Sequence, residues 1–275
     1  MSYRNAFSRV LSDVIAPRAE RTGREGSFPR GAVSALGEAG LLGLTVSADL
    51  GGGGRGPAEA AEVVARIAGT CPVTAAVLQS HYAAVAVIEA CGSRWVRGET
   101  AAGRHLSSLA LADGTDGAYG AAGATATRSG EVVALRARKR EVVAAGEADS
   151  YVWSSLPLAA GDGLTLWLVP AHAPDLFVPA RPDGGGPHGS ATSTVLADPV
   201  LVPADAMLGE DGAGREVVLR AVLPWLSELR DALGPSAVHP SVEAAETAAS
   251  AAVGGAGAGR AAQLSAVAPA ATALR

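Results

Sequence analysis

The sequence predicts an α+β protein: an N-terminal helical domain, a middle antiparallel β-domain and a short C-terminal helical segment. Three observations carry this reading. Apolar residues recur at helical spacing through the first hundred positions, punctuated by prolines and glycines at starts and stops. From Leu106 the period changes to short β-branched runs separated by turn residues, the pattern of a strand meander. After Pro203, Gly212 and Gly214 open a further helix at Arg215. The implied domains are residues 1–105, 106–203 and 204–275.

Within the first domain, Phe7, Val10, Leu11, Val14 and Ile15 share one helical face, and Pro17 marks the expected end of that helix. Pro29 opens a second helix through Val33 and Leu36, which Gly40 ends. Pro57 stands at the first position of a third, closed by Gly69, and a fourth spans about 72–92. The expected strands cover 108–112, 123–128, 132–138, 151–155, 164–169 and 192–202, with a Gly/Pro loop at 183–189. Pro224 is expected to interrupt the helix after Arg215. Beyond Pro240 larger apolar residues are few: Val242, Val253, Leu264, Val267 and Leu274. That is too little to offset the entropy of ordering the segment, so it is expected to pack poorly as a vestigial, Ala/Gly-rich tail.

With 275 residues, 48% of them hydrophobic, the chain can build ordinary cores. The net charge is −5, and basic residues are scattered except for Arg136, Arg138, Lys139 and Arg140, read as a solvent-facing strand and turn. This excludes a nucleic-acid footprint. The N-terminus lacks the apolar stretch of a signal peptide, and Cys71 and Cys91 on one helix would stand about 30 Å apart, beyond disulfide reach. A reducing, cytoplasmic setting is therefore expected. The apolar run at 73–91 is broken by Gln79, Ser80 and His81, which favours a buried helix over a membrane span. His105, His172, His188 and His239 show no metal-ligand spacing, so no metal is expected. Gly51, Gly53 and Gly56 satisfy G-x-G-x-x-G, but helix on both sides and no acidic residue twenty positions on make this a Gly-rich turn rather than a dinucleotide loop.

Three motifs in register point to one family. They are F-P-R-G-A-V-S-A-L-G-E-A-G-L-L-G-L-T-V-S-A-D-L-G-G-G-G at 28–54, W-L-V-P at 167–170, and D-P-V-L-V-P-A-D-A-M-L-G-E-D-G-A-G at 198–214. In order and spacing the chain resembles the acyl-CoA dehydrogenase family from about residue 28 to 234. The resemblance implies FAD, an acyl thioester of CoA or a carrier protein as substrate, and a C-terminal helical bundle that here looks truncated. It further implies a homo-oligomer, or a heteromer with a chain that supplies the missing bundle.

Carried over residue by residue, the resemblance places Leu111, Ala112 and Asp113 at the family's flavin-contacting Thr-Glu-Pro, and Thr115 at the Ser that contacts the thioester arm. Glu141, Val142 and Val143 stand at a second flavin contact, Trp-Ile-Thr, with Lys139 aligned to the Lys that precedes it. Cofactor binding is thus assigned to Leu111, Asp113, Val142 and Val143, and substrate binding to Thr115 and to His81, on the helix that lines the family's acyl pocket. In one branch of the family the base is the Glu of a Glu-Arg pair that aligns with Pro224 and Trp225, and the nearest carboxylate is Glu228, one helical turn later. Two functions follow: an FAD-dependent α,β-dehydrogenase, degenerate or dependent on a partner, or a non-redox protein reusing the same cleft for a thioester or polyketide-like ligand. The hydroxyls lost at Leu111 and Val143 and the carboxylate of Glu141 imply weak or absent FAD binding by the isolated chain.

Overall fold

The computed structural model describes residues 2–113 and 124–250. Helix α1 (Tyr3–Val10) does not stop at Pro17 as expected. The backbone passes through a wide π turn, Leu11–Ile15, and a 3-10 turn, Ala16–Arg18, into α2 (Ala19–Glu25), which ends at Gly26 in the left-handed region (φ 64°). Proline lacks an N–H and its ring collides with the carbonyl four residues back; a wide turn just before it relieves both problems.

Helix α3 (Arg30–Glu38) closes with Leu41 N–H donating to Leu36 C=O at 2.8 Å across Gly40, whose φ is 74°. The glycine-rich stretch then folds back on the loop before it: Gly53 N–H donates to Gly43 C=O, and a Cβ at Gly52 would stand 2.2 Å from the Val46 carbonyl oxygen. It is a packed turn between helices. Helix α4 (Pro57–Ala68) and the twenty-residue α5 (Pro72–Cys91) follow, and α5 is buried along most of its length. Cys71 caps one end of α5 and Cys91 closes the other; Cys71 is buried and Cys91 half-buried. The periodicity missed α6 (Arg94–Ala101), which is short, buries only Val96, Thr100 and Ala101, and is capped by Ser93.

Among the described residues, the β region forms two four-stranded sheets. One runs β1 (Ser107–Ala110), β4 (Ser150–Ser155), β5 (Thr165–Pro170), β8 (Met207–Leu208), with β1 and β4 parallel and the other pairs antiparallel. The second runs β2 (Thr125–Ser129), β3 (Val132–Val142), β7 (Ser193–Pro203), β6 (Leu176–Phe177), all antiparallel. Strands β6 and β8 are two residues each, too short to carry a sequence period. Alternation along β3 turns Lys139 inward, where none of it meets solvent, while Arg136 and Arg140 remain exposed. The expectation of a solvent-facing basic run is therefore wrong for Lys139.

After the sheets, α7 (Gly214–Val217) passes through a second π turn, Val218–Val222, into α8 (Leu223–Leu233). Pro224, expected to interrupt, stands two residues past this turn, as Pro17 does past the first. Helix α9 (Pro240–Ser250) then packs against α5, α8, β1 and β3, with Val242 and Ala245 fully buried. Poor packing beyond Pro240 is thus corrected for 240–250. Polar clamps and small residues hold this helix, and a count of large apolar side chains does not register them.

Candidate functional site

Of the residues singled out from the sequence, His81, Leu111, Asp113, Val142 and Val143 lie along the seam between α5, β1 and the far end of β3. His81 is wholly buried on α5, its Nε2 donating to Leu42 C=O (2.9 Å) and its Nδ1 accepting Ser107 N–H (3.2 Å). Burial pushes its pKa down to about 4, so it is neutral, and neither nitrogen is left for a ligand. Beside it, Tyr82 donates to Leu41 C=O at 2.6 Å, so α5 holds the turn after α3 at two adjacent points. A hydroxyl ladder continues from α5 to the sheets: Leu109 N–H donates to Ser80 Oγ (3.0 Å), Ser80 meets Ser108 Oγ (2.8 Å), and Ser108 donates to Val143 C=O (2.6 Å).

Leu111 is 4% exposed and Val142 and Val143 are fully buried. Their side chains carry no polar atom, and the Leu111 and Val143 carbonyls already accept from Ser154 Oγ (3.2 Å) and Ser108 Oγ. Asp113 pairs with Lys139 at 2.6 Å, and Lys139 also donates to Ser154 Oγ (2.8 Å) and lies over the Trp153 ring at 5.4 Å. Burial lowers the Lys139 pKa, opposed by the charge of Asp113. Trp153 Nε1 is buried with no hydrogen-bond partner among the described residues. Thr115 lies outside the described residues.

Between Lys139 and Val142, β3 takes three steps while β7 takes two, a bulge that sets Glu141 at φ 54°. Ala144 (φ 54°) and Ala191 (φ 51°) hold the same strained conformation close by, joined through Ala144 N–H to Ser190 C=O and Ala145 N–H to Ala191 C=O. The Glu141 carboxylate, expected beside a flavin ring, accepts Gly185 N–H at 2.8 Å from the 183–189 loop.

Sequence reasoning missed the group that ties this seam to the C-terminal helix. His239 caps α9: its carbonyl accepts Val242 N–H, and its Nδ1 accepts Ser241 N–H at 3.1 Å. Its Nε2 reaches Thr192 Oγ1 (3.3 Å), adjacent to Ser193, the ladder partner of Val142. Gln79 on α5 accepts His239 N–H (2.8 Å) and donates to Ala237 C=O (3.3 Å), while Trp225 Nε1 donates to the Gln79 carbonyl (3.3 Å). Burial holds the His239 pKa down at about 4. The signal available in the sequence was His239-Pro240, a cap followed by proline at the first helical position.

Glu228 is elsewhere. It is exposed on α8 and opens, with Asp231, Ala61, Glu62 and Arg66, onto a hollow of about 410 Å³ between α4 and α8. Pro224, at the aligned base position, is exposed, and Trp225 is buried against α5. Among the described residues, no group of three or more His, Cys, Asp or Glu could hold a metal ion.

Residues 2–101 match the family described as "Acyl-CoA dehydrogenase, N-terminal domain". The short-chain specific acyl-CoA dehydrogenase of Homo sapiens mitochondria is 28% identical over 217 residues, covering 76% of this chain and 52% of the relative. The acryloyl-CoA reductase (NADH) of Anaerotignum propionicum is 27% identical over 228 residues, covering 78% and 57%. The chain spans about half the length of the curated relatives it matches. Among solved structures, butyryl-CoA dehydrogenase from Megasphaera elsdenii superposes with a TM-score of 0.71 at 20% identity, covering 84% of this chain and 62% of that one. An acyl-CoA dehydrogenase from Geobacillus kaustophilus superposes with a TM-score of 0.73 at 18% identity, covering 84% and 64%. At these identities the superpositions establish the fold.

Proposed function

We propose that this chain, which belongs to the acyl-CoA dehydrogenase family, binds an acyl thioester, of CoA or of a carrier protein, and holds no FAD of its own. Family members use FAD for α,β-dehydrogenation of the acyl group. One observation carries the flavin-free reading: the positions matched to the flavin contacts are the apolar, buried Leu111, Val142 and Val143, and the Leu111 and Val143 carbonyls already have hydrogen-bond donors. An isoalloxazine edge is lined with hydrogen-bonding groups, and leaving such groups without partners costs about 1–3 kcal/mol each. These residues do not fit it.

The test is the visible spectrum of the purified chain with an FAD titration followed by flavin fluorescence, beside calorimetric titration with butyryl-CoA. The expected outcome is a colourless protein that binds added FAD poorly and binds the thioester. A yellow protein with stoichiometric FAD, bleached by butyryl-CoA without oxygen, would overturn the reading.

A second reading rests on the chain spanning about half the length of its relatives. It makes the chain part of an FAD-dependent dehydrogenase, completed by another copy or by a second chain that brings the helical bundle. Co-expression with such a chain, followed by the same spectrum, separates the two. In either case Glu228 opens onto the α4–α8 hollow, so Glu228→Gln is expected to leave butyryl-CoA binding within about twofold of wild type by calorimetry.

A further inference from the structure

The end of β3 at Val142, with Val143 just beyond it, is sealed by residues of this chain, and α9 is the element drawn across it. Helix α9 packs on β1, β3 and α5. Its cap residue His239 sits so close to the 183–189 loop that a Cβ at Gly186 would stand 2.4 Å from His239 Nε2. Yet what holds the helix is modest in apolar terms. Among its described side chains, Val242 and Ala245 are the fully buried apolar ones, far less apolar area than a Leu or Phe anchor supplies.

The rest of the hold is polar and comes from elements distant in sequence. Gln79 clamps the main chain at Ala237 and His239 from both sides, and Thr192 meets the His239 ring. On the outer side, Arg230 of α8 forks onto both carboxylate oxygens of Glu246, with Glu243 at 3.7 Å. Held by a few specific hydrogen bonds and little apolar area, the helix can leave as a unit without dismantling the core beneath it.

We propose that α9 is an autoinhibitory plug: the chain's own helix occupies the seam between α5, β1 and the Val142 end of β3, and any ligand entering that seam must displace it. This rests on the reading that the seam is the thioester cleft, and it deepens that reading by naming what regulates access. The apparent affinity of such a cleft equals its intrinsic affinity reduced by the fraction of molecules in which the plug is out.

The experiment is hydrogen–deuterium exchange on the full-length chain and its Arg230→Met variant, with 8-anilinonaphthalene-1-sulfonate fluorescence as the probe of an opened apolar seam. Arg230 is on the outer side of α9 and partly exposed, so its loss loosens the helix without altering the core. Gln79→Ala, which cuts the inner clamp, is the second variant, and circular dichroism verifies that both remain folded. The expected result is that amides of 239–250 and of 142–145 exchange faster together, by about tenfold, and that dye fluorescence rises in step. Faster exchange in α9 with 142–145 still protected and the dye silent would overturn the plug. Butyryl-CoA binding that appears or tightens in the loosened variants supports it. Coupled opening and dye binding without any butyryl-CoA binding also leaves the plug standing and removes only the thioester assignment.

Discussion

Lys139 has no part of its side chain in solvent, an arrangement that holds only because each polar neighbour is placed for it. Its ammonium meets Asp113 at 2.6 Å and Ser154 at 2.8 Å, above the Trp153 ring. Stranding the fully buried Lys139 ammonium costs more than stranding Asp113, whose carboxylate is partly exposed and can return to water. Asp113→Ala is therefore expected to destabilise by about 3 kcal/mol, the low end for a buried pair, since 42% of the Asp113 side chain is exposed and water screens part of the interaction. Lys139→Met, similar in length, is expected to cost about 1 kcal/mol or less. Urea unfolding of the two variants measures the difference, and equal losses would mean that the charge itself is not the issue. None of this was legible in the basic run. Strand alternation predicts that one of two adjacent residues points inward, but which one depends on the register with β7 and on Asp113, 26 residues away.

At the level of elements, the glycine run after α3 offers a sharp test of whether these residues serve packing or ligand binding. Gly52 lies against the Val46 backbone, and an added Cβ would stand 2.2 Å from a carbonyl oxygen that cannot retreat without moving the turn. Gly51 has a left-handed φ of 87° and open space around it. Gly52→Ala is expected to cost more than about 2 kcal/mol, whereas Gly51→Asn, tolerant of that conformation, is expected to stay within about 1 kcal/mol, both read from thermal unfolding. Equal tolerance at both positions would argue against the packed turn. The long elements, α4, α5, β3 and β7, were legible because their period persists over many residues. Both prolines misled for one reason: a proline signals that the regular hydrogen-bond ladder fails, and a π turn is a way for it to fail without ending the helix. Helix α9 was illegible because its hold comes from Gln79 and Thr192, 160 and 47 residues from His239. In the candidate site the sequence names Leu111, Val142, Val143 and His81, but their burial and hydrogen-bond partners come from elements distant in the chain.

Across the whole molecule, two buried histidines join its parts and make its stability depend on acid. His81 ties α5 to the turn after α3 and to β1; His239 ties α9 to α5 and to the start of β7. Each has an accepting Nδ1 that protonation would abolish, and burial holds both at a pKa of about 4 against an ordinary 6.5. Between those values the unfolded chain binds protons that the folded chain refuses, so stability falls as pH drops through 6.5 toward 4 and is unaffected by these groups above that window. At 1.36 kcal/mol per pH unit, each histidine withdraws up to roughly 3 kcal/mol. His105, also lowered by burial, acts in the same direction. The expected outcome is an unfolding midpoint that is level near neutrality and drops steeply from pH 6.5 to 4, with a shallower slope in His239→Gln because one titrating group is gone. A midpoint unchanged across that window would mean that neither histidine is sealed in the folded chain. A drop shared equally by wild type and His239→Gln would place the whole effect on His81, His105 and the carboxylates, and free α9 of any pH dependence.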